Sequence, residues 1–403
     1  MRTSLRRRLT TVAAALGLTS LGLVGATPAQ AAIDDCPKGY FCAWQTTWGT
    51  GTMFKTNTNK ATLGSWDNTF DAIVNRTSQY ACMYDDPNYG GWGTQWAPDP
   101  TGAAWGFAHW KAVSSVRFVK TSRECNGKPY PEWYSGPAPK AAGFGDMNAD
   151  RRPDVLVRDE AGRLWFLPGD GTGRMVGSGG WNGMSALTRH GDFSGDGRED
   201  VIAREASTGK LWLYPGTGTG GLGVRKLIGS GGWNGMNRIT AFGDLTGDGR
   251  VDLVAVEKST GKLWLYPGTS SGGLGGRKVI GSGGWNSMNA LVGAGDMNTD
   301  GRPDLVAREA STGKLWLYPG KAGYLGPRVL IGSGGWNVMH HILGLGDANS
   351  DGHVDLVTVT NGRYVSDGWR GVGNLVLYRG RGTGAMDPGT PEADGWWYLN
   401  GVF

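Results

Sequence analysis

Several features that mark common protein classes are scarce or absent in this sequence. Its 403 residues include five histidines and no H-E-x-x-H pattern, so nothing indicates a zinc-dependent hydrolase of that kind. The four cysteines all lie before residue 126, so the rest of the chain has none. Beyond residue 25 no apolar run is long enough to span a bilayer. No stretch interleaves basic and aromatic residues as a nucleic-acid groove does, so we expect neither a membrane span nor a nucleic-acid partner.

The first 31 residues have the pattern of a cleaved secretory signal. Arg2 and Arg6–Arg8 form a basic start, Leu9–Gly25 is apolar, and Ala29-Gln30-Ala31 is a small-residue cleavage site. The alternative is a membrane anchor, but the apolar run is short and is interrupted by glycine and threonine. The sequence therefore predicts a signal peptide over residues 1–31 and a secreted, extracellular protein.

The cysteines, Cys36, Cys42, Cys82 and Cys125, predict two disulfides. An even cysteine count in a small secreted module is typical of disulfides. Three pairings are open, and we prefer Cys36–Cys42 with Cys82–Cys125 because the first pair can close a single loop. A four-cysteine zinc site is the alternative, but the spacing lacks the paired C-x₂₋₄-C arrangement of such sites.

A proline-rich segment divides the remaining chain into two parts. Residues 127–140 contain four prolines and predict a stiff, extended linker. Before it lies a disulfide-bonded module, residues 32–126, and after it a repeat region, residues 141–403.

The first module shows short β-type runs separated by Gly, Asn and Asp. Tyr84–Gly91 places an aromatic residue, another aromatic five residues later and a glycine two residues after that. This resembles the corner of a βγ-crystallin Greek key. Together with Cys36–Trp44 and Val113–Phe118, it resembles proteinase inhibitor family I36. The resemblance implies a small crystallin-like Greek-key domain and inhibition of an extracellular metalloproteinase. Neither Asp67–Ala72 nor Trp110–Ser115 completes a crystallin-type calcium motif, so we assign no metal to this module.

The repeat region contains five copies of the pattern D-x-[N/S/T]-x-D-x-x-x-D. Successive copies begin 46, 52, 52 and 51 residues apart, at Asp146, Asp192, Asp244, Asp296 and Asp347. Oxygen ligands at alternate positions of a tight loop are typical of calcium sites. A period of about fifty residues indicates one supersecondary unit repeated into an array.

In each loop we expect side-chain oxygens at positions 1, 3, 5 and 9 and a backbone carbonyl at position 7 to bind calcium. The candidate ligands are Asp146, Asn148, Asp150, Arg152, Asp154, Asp192, Ser194, Asp196, Arg198, Asp200, Asp244, Thr246, Asp248, Arg250, Asp252, Asp296, Asn298, Asp300, Arg302, Asp304, Asp347, Asn349, Asp351, His353 and Asp355. Arg151 replaces the position-6 glycine in the first loop, which predicts strain there or weaker affinity. The alternative is five Asx turns without metal, in which the carboxylates would repel one another.

Each repeat predicts four strands, which is the content of a propeller blade. The last repeat lacks a fourth strand, and residues 141–145 offer one to spare. We therefore expect this N-terminal strand to complete the last blade of a five-bladed β-propeller, giving an all-β protein. The aspartate loops resemble FG-GAP or VCBS-type repeats, and the repeated block Ile-Gly-Ser-Gly-Gly-Trp-Asn resembles that of the five-bladed lectin tachylectin-2. The second resemblance implies binding of N-acetylated sugars.

The Gly-Gly-Trp-Asn blocks have two interpretations. In one, the indole stacks on a sugar ring and the asparagine binds its hydroxyl or acetamide groups. In the other, the indole packs between blades, which repetition itself favours. The residues concerned are Trp181, Asn182, Trp233, Asn234, Trp285, Asn286, Trp336 and Asn337.

No catalytic motif lies in a suitable context. Gly268–Gly272 fits G-x-S-x-G but lies in a hairpin, and Gly216–Gly221 fits G-x-G-x-x-G but precedes a strand. We therefore predict a secreted, non-catalytic, calcium-binding protein whose propeller binds a glycan or a protein. The alternative is a metalloproteinase inhibitor with the propeller as scaffold. The expected partners are a polysaccharide or glycoconjugate, or an extracellular protease.

The charge balance weakly favours an acidic partner. Four of the 40 Lys and Arg residues lie in the predicted signal, so 36 remain against 35 acidic residues. Fifteen of those acids are loop aspartates, and cations bound there would leave 36 basic groups against 20 acidic ones. An anionic wall polymer would match that surface.

Overall fold

The structure, a computed structural model, describes residues 33–108, 111–140, 143–366 and 369–403. The predicted signal peptide lies outside these residues. Every helix in the described part of the chain is a short 3₁₀ turn, and none has the length and apolar character needed to cross a bilayer. The turns cover Ile33–Asp35, Gly64–Trp66, Pro87–Tyr89, Ser122–Cys125, Trp181–Gly183, Trp233–Gly235, Trp285–Ser287 and Trp336–Val338.

The chain divides into two compact units. One contains Trp92 and the described residues before it, together with Pro98–Arg117. The other contains Gly93–Ala97 and Phe118–Phe403.

The first unit is built from two small antiparallel sheets. The strands are β1 (Phe41–Trp44), β2 (Met53–Thr56), β3 (Ala72–Asn75), β4 (Tyr80–Asp86), β5 (Gly90–Trp96), β6 (Trp105–Phe107) and β7 (Ser115–Val119), of which β5 and β7 belong to this unit only as far as Trp92 and Arg117. The sheet orders are β2-β1-β3-β6 and β5-β4-β7. Each half of the module contributes to the sheet of the other half. Lys60, from the first half, forms a β-bridge with Val116 of the second sheet, and β6, from the second half, belongs to the first sheet. This exchange gives the crystallin-like Greek-key arrangement that the sequence predicts.

The predicted Greek-key corner is formed by its aromatic pair and its glycine. The rings of Tyr84 and Tyr89 meet edge to face with centroids 6.1 Å apart. Gly91 has φ +73°, and a Cβ there would lie 2.8 Å from a carboxylate oxygen of Asp86. A side chain would therefore be excluded both by conformation and by space.

The cysteines form disulfides rather than a zinc site. Cys36 and Cys42 are bonded with Cα atoms 5.9 Å apart, which confirms the first predicted pair. Cys82 and Cys125 are also disulfide-bonded, and none of the cysteines is free.

The second unit contains the repeats and twenty-four strands. These are β8 (Val155–Asp159), β9 (Leu164–Leu167), β10 (Arg174–Gly177), β11 (Met184–Arg189), β12 (Val201–Glu205), β13 (Leu211–Tyr214), β14 (Lys226–Gly229), β15 (Met236–Gly243), β16 (Asp252–Glu257), β17 (Leu263–Tyr266), β18 (Lys278–Gly281), β19 (Met288–Gly295), β20 (Asp304–Glu309), β21 (Leu315–Tyr318), β22 (Gly320–Lys321), β23 (Tyr324–Leu325), β24 (Val329–Gly332), β25 (Met339–Gly346), β26 (Asp355–Thr360), β27 (Val365–Ser366), β28 (Trp369–Arg370), β29 (Leu375–Tyr378), β30 (Thr390–Ala393) and β31 (Leu399–Val402).

Most of these strands form five four-stranded antiparallel sheets, numbered here in chain order. Sheet 1 is β31-β8-β9-β10 and sheet 2 is β11-β12-β13-β14. Sheet 3 is β15-β16-β17-β18, sheet 4 is β19-β20-β21-β24, and sheet 5 is β25-β26-β29-β30. The all-β class and the repeated four-stranded sheets are therefore confirmed.

The core of this unit lies between consecutive sheets. Four clusters of buried apolar side chains join sheet 1 to 2, 2 to 3, 3 to 4 and 4 to 5. A fifth joins sheet 5 to sheet 1, with Leu377 and Val357 on one side and Val155 and Leu167 on the other. The innermost strands of the five sheets, β31, β11, β15, β19 and β25, line one central cavity of about 150 Å³. The sheets thus follow one another around a closed circuit.

The circuit closes differently from the sequence prediction. We expected residues 141–145 to complete the last sheet, but the described part of that segment, residues 143–145, forms no strand. Instead, the C-terminal strand β31 pairs with β8 and completes sheet 1. Val402 is buried in the cluster between sheets 5 and 1, and burial of its side chain explains why this strand takes the innermost position.

The segment predicted as a linker packs against the repeats. Trp133, Ser135 and Ala138 are buried, and the indole N–H of Trp133 donates to the carbonyl of Pro153 at 2.6 Å. The connection from β9 to β10 covers only residues 168–173, whereas that from β13 to β14 covers residues 215–225. In later repeats this longer connection contacts the preceding aspartate loop, as Gly220 N–H does at the Met147 carbonyl. Gly136 makes the equivalent bond to Ala348, so the proline-rich segment substitutes for the shortened connection.

Candidate metal centre

The five aspartate loops occupy equivalent places in the five sheets. Each loop comes immediately before, or at the start of, the second strand of its sheet: β8, β12, β16, β20 and β26. In sheets 2–5 the loop also connects that strand to the innermost strand. We number the loops 1–5 in chain order and the residues within each from 1 to 9.

The first aspartate of each loop organises the turn. In loop 2, the Asp192 carboxylate accepts hydrogen bonds from the N–H groups of Gly195, Asp196 and Gly197 at 2.6–3.1 Å. The N–H groups of positions 5 and 6 make the same bonds to the first aspartate in the other four loops, at 2.7–3.2 Å. These hydrogen bonds curve the backbone of each loop around the carboxylate of its first aspartate.

The last aspartate of each loop is buried. Asp154, Asp200, Asp252, Asp304 and Asp355 are at most 1 % exposed. In loop 2 one oxygen of Asp200 accepts from Ser194 N–H at 2.7 Å and the other from Gly216 N–H at 2.8 Å. Burial is the main cause that raises the pKa of Asp200, Asp304 and Asp355 to about 6, and nearby loop aspartates raise it further. Removal from water disfavours the charged carboxylate unless a cation compensates it.

Asp154 in loop 1 is the most perturbed of these carboxylates. Burial, followed by repulsion from Asp146 and Asp150, raises its pKa to about 8, although Arg189 opposes the shift. One of its oxygens is buried with no hydrogen-bond partner in the described part of the chain. In loops 2–5 the equivalent oxygen accepts a hydrogen bond from a glycine N–H at 2.8–2.9 Å, and Asp154 lacks this compensation.

The fifth position distinguishes the loops. Asp248 pairs with Arg250 at 2.5 Å and Asp300 with Lys321 at 2.7 Å. Asp150 and Asp351 accept from the asparagine two residues earlier, at 2.9 and 2.7 Å. In loop 2 the corresponding contact is longer, since Asp196 lies 4.0 Å from Arg198. One oxygen of Asp196 instead lies within 4.8 Å of oxygens of the other two carboxylates.

Loop 2 is consequently where the carboxylates converge. One oxygen each from Asp192, Asp196 and Asp200 lies within 4.8 Å of the others, and the described residues contain no other group of three or more potential acidic, histidine or cysteine ligands this compact. The Ser194 hydroxyl lies beside Asp192 at 3.3 Å. This all-oxygen donor set fits a hard divalent cation and does not fit a soft one.

The backbone of the loops is left-handed at two positions. The glycine at position 6 has φ of +82° to +90° in loops 2–5, and Arg151 adopts +68° in loop 1, so the predicted strain at this arginine is present. Position 4 is also left-handed, with Ala149 at +64°, Thr299 at +57° and Ser350 at +68°. Sequence reasoning missed position 4, although glycine at that position in loops 2 and 3 was a usable signal.

The four tryptophans of the Gly-Gly-Trp-Asn blocks lie between sheets. Trp181, Trp233, Trp285 and Trp336 are each 8 % exposed. Each ring contacts a tyrosine of the following sheet, with centroids 4.4–4.9 Å apart. A Cβ on the glycine four residues earlier would lie 2.0–2.1 Å from the indole nitrogen, so that glycine makes room for the ring.

Each asparagine of these blocks binds a backbone carbonyl just after the second strand of the sheet that precedes it in the chain. The side-chain amides of Asn182, Asn234, Asn286 and Asn337 donate to carbonyls at 2.9–3.0 Å. Trp396 takes the same place in the fifth repeat, where the sequence Gly395–Asn400 is a degenerate copy of the block. Its side chain is buried, and its backbone N–H donates to the Gly373 carbonyl at 2.9 Å. Buried indoles and engaged amides favour the packing interpretation over stacking on a sugar.

Comparison with known families assigns both parts of the chain. Residues 29–95 match Peptidase inhibitor family I36. Residues 192–255, 244–307 and 296–358 match the FG-GAP-like repeat. The chain thus contains a segment similar to family I36 and, within residues 192–358, segments similar to the FG-GAP-like repeat. These matches confirm the resemblances to family I36 and to FG-GAP-like repeats, and neither of these is a family of enzymes, whereas the resemblance to tachylectin-2 stays a prediction.

No curated protein matches the chain in sequence. Among solved structures, a lectin from Agrocybe aegerita, described as recognising non-reducing terminal N-acetylglucosamine, has 16 % identity and a TM-score of 0.36. That match covers 62 % of this chain and 64 % of the lectin. A βγ-crystallin from Ciona intestinalis has 16 % identity and a TM-score of 0.17, covering 20 % of this chain and all of the crystallin. Regucalcin from Agrobacterium tumefaciens, a calcium-binding protein, has 14 % identity and a TM-score of 0.28, covering 60 % of this chain and 86 % of regucalcin.

Proposed function

We propose that this protein is an extracellular, non-catalytic binding protein whose repeats form a five-bladed propeller that binds calcium. The convergence of Asp192, Asp196 and Asp200 within 4.8 Å carries the proposal. Three carboxylates that close would repel one another, and a divalent cation between them removes that cost.

Loop 2 is the strongest of the five candidate sites. Asp192, Asp196 and Asp200 would supply carboxylate oxygens, Ser194 its hydroxyl and Arg198 its carbonyl. In loops 3 and 4 the fifth-position carboxylate would first have to leave a basic partner, Arg250 or Lys321. We therefore expect loop 2 to bind calcium more tightly than loops 3 and 4.

Calcium titration by calorimetry tests this order. Extracellular loop sites typically have dissociation constants of about 10⁻⁴ to 10⁻³ M. Asp196→Asn should remove the tightest site, whereas Asp300→Asn, the same change at position 5 of loop 4, should remove a weaker one. Calcium should also raise the melting temperature, because a ligand of the folded state stabilises it by mass action. An unchanged isotherm for Asp196→Asn, or equal melting in calcium and in excess chelator, would refute the metal assignment.

We propose that the propeller acts as a platform for a glycan or protein ligand. The geometry of the Gly-Gly-Trp-Asn blocks supports a packing role for their tryptophans, so the ligand surface should lie elsewhere on the repeats. The lectin among the similar structures motivates a search for glycans but does not identify one.

The second candidate function is inhibition of an extracellular protease through the first unit. The I36 match over residues 29–95 favours it. The full-length protein should then inhibit at least one enzyme in a panel of secreted metalloproteinases, with reduction of the disulfides abolishing the effect. Inhibition that survives reduction, or none across the panel, would count against this function.

A further inference from the structure

Three tryptophans on the outer side of the repeats carry a stacked arginine. Trp212, Trp264 and Trp316 lie on the third strands of sheets 2, 3 and 4 and are half-buried. The guanidinium carbons of Arg225, Arg277 and Arg328 lie 4.0, 3.8 and 3.9 Å from the respective ring centroids. The same contact therefore occurs with nearly the same geometry in three consecutive sheets.

Stacking fixes an arginine that would otherwise be mobile. All three arginines are exposed, although one face of each guanidinium lies on an indole. A cation over an aromatic ring is attracted to it, and a planar guanidinium stacked in this way keeps its N–H groups at its edge, away from the ring face. In sheet 3 one of these groups also has an acidic partner, since Nη1 of Arg277 lies 3.5 Å from Glu257. An anion that binds those N–H groups pays less ordering entropy than it would at a free arginine.

The surroundings of each stack carry excess positive charge. In sheet 2, Arg225 and Lys210 are both near enough to Glu205 to lower the pKa of that carboxyl, after the hydrogen bond from Thr208. Arg277 and Lys262 stand in the same relation to Glu257. The segments that carry the stacks, residues 205–212 with 225–226, 257–264 with 277–278, and 309–316 with 328–329, contain nine basic residues and three acidic ones. They are Lys210, Arg225, Lys226, Lys258, Lys262, Arg277, Lys278, Lys314 and Arg328 against Glu205, Glu257 and Glu309.

An exposed aliphatic residue accompanies each stack. Leu227, Val279 and Leu330 lie directly across the strand pair from Trp212, Trp264 and Trp316. They are 43 %, 45 % and 44 % exposed. Each arginine–tryptophan stack thus offers a fixed cation beside a small apolar surface.

Sheets 1 and 5 lack this combination of stacked arginine and exposed aliphatic residue. In sheet 1, Trp165 is covered by the Tyr130 ring at 5.1 Å, and the arginine near it, Arg163, is paired with Asp159 and Glu124. In sheet 5, Val376 stands where the other sheets have tryptophan. The stacked arginines therefore form an arc over three adjacent sheets rather than a full ring.

We propose that this arc, Arg225, Arg277 and Arg328 with their tryptophans, binds an acidic polysaccharide. Sulfate or carboxylate groups would accept hydrogen bonds from the guanidinium edges, and sugar C–H groups would contact the aliphatic residues. Three equivalent units suit a polymer with repeated charges, since multivalent contact adds weak sites together. The inference rests on the proposed function in naming the ligand of the platform, but it uses none of the loop residues.

Binding of dextran sulfate and of neutral dextran by full-length protein in calcium tests the arc. The triple variant Arg225→Gln, Arg277→Gln, Arg328→Gln removes the guanidinium groups. A matched control, Arg174→Gln, Arg363→Gln, Arg379→Gln, removes three exposed arginines of the first and fifth repeats with the same change of charge. A third variant, with lysine at the three arc positions, keeps the charge and loses the planar stack.

The arc variant should bind dextran sulfate at least about 10-fold more weakly than wild type at low salt, with a shallower salt dependence. The control should bind within about 2-fold of wild type, and the lysine variant should be several-fold weaker. Sodium alginate should bind as dextran sulfate does, since carboxylate and sulfate share the recognised chemistry.

Equal losses in the arc and control variants, wild-type binding by the lysine variant, equal binding of neutral dextran, or tighter binding of single-stranded DNA would overturn the proposal. Its failure is separable from failure of the calcium sites. If the wild-type protein is stabilised by calcium but does not bind dextran sulfate, only the arc is rejected, and the reverse result in wild type rejects only the loops.

Discussion

At the scale of single residues, His190 shows how the centre of the repeat unit is made. Its imidazole stacks on Phe144 with centroids 3.9 Å apart and planes 10° apart. Gly243 and Gly293 leave room for it, since a Cβ on either would lie 3.1 Å from the ring. Burial lowers the pKa of His190 to about 3, so the folded protein holds the neutral form.

His190 should make stability fall in acid. Below pH 6.5, the usual histidine pKa, the unfolded chain takes up a proton that the folded state refuses. Between pH 7 and pH 5 this group should cost about 2 kcal/mol of unfolding free energy. Urea unfolding at pH 7 and pH 5 measures the loss of unfolding free energy, which should be smaller by about 2 kcal/mol in His190→Gln than in wild type. Identical pH dependence in both proteins would mean that His190 is accessible to protons, since contributions from the aspartates cancel in the comparison.

At the scale of the element, each aspartate loop is held by bonds within itself but carries a buried charge that it cannot fully compensate. Asp154 is the extreme case, with a pKa raised to about 8 and a buried oxygen without a partner in the described part of the chain. Its protonated form is favoured in the folded state. The associated stability is present below the unfolded pKa of about 3.9 and is lost as pH rises through about 8.

In excess chelator, the unfolding free energy should therefore fall by about 2 kcal/mol between pH 6.5 and pH 8.5. In the unfolded state the histidines are half protonated at pH 6.5, but their contribution is the same in wild type and in Asp154→Asn and cancels in the comparison. Asp154→Asn should abolish the fall, and saturating calcium should reduce it because the cation replaces the proton. Chemical denaturation measures all three, and a fall that persists in Asp154→Asn would assign the effect to another group.

The Gly-Gly-Trp-Asn block is the second repeated element, and its role is testable by stability. Trp233→Ala should lower the unfolding free energy by about 3–5 kcal/mol, the usual cost of truncating a buried aromatic residue. Trp397→Ala is the matched control, because that side chain is 38 % exposed and should matter little. If Trp233→Ala leaves stability unchanged but removes glycan binding, the sugar-stacking interpretation is correct after all.

At the scale of the whole molecule, closure of the sheet circuit depends on a strand far from its partner in sequence. Phe403 exchanges two backbone hydrogen bonds with Leu156, at 2.9 and 3.0 Å, next to the β31–β8 pair. The buried cluster around Val402 joins the last sheet to the first. Stability of every sheet should therefore depend on β31.

Val402→Asp tests this dependence by placing a carboxylate in that cluster. An uncompensated buried charge should cost at least about 3 kcal/mol and lower the single unfolding transition of the repeats as a whole. Asn400→Asp, an exposed change in the same strand, is the control. Differential scanning calorimetry would contradict the expectation if one sheet unfolded separately while the others kept their transition.

Features that depend on local chemistry could be read from the sequence. The first aspartate of each loop accepts from N–H groups three to five residues away, and alternation of strand and turn is read within each repeat, so the five loops and the all-β repeats were predictable. The Greek-key corner followed from Tyr84, Tyr89 and Gly91 for the same reason. Family matches at residues 29–95 and 192–358 agree with these local signals.

Features set by contacts between distant residues could be seen only in the folded protein. Lys321 lies 21 residues from the Asp300 that it pairs with, so no loop pattern shows that loop 4 is less open than loop 2. The sequence predicted that residues 141–145 close the circuit, whereas residues 399–402 do so, with Val402 buried between sheets 5 and 1. The arginine stacks arise from strand pairing across a hairpin. In each case the deciding contact joins residues whose proximity exists only after the sheets have packed.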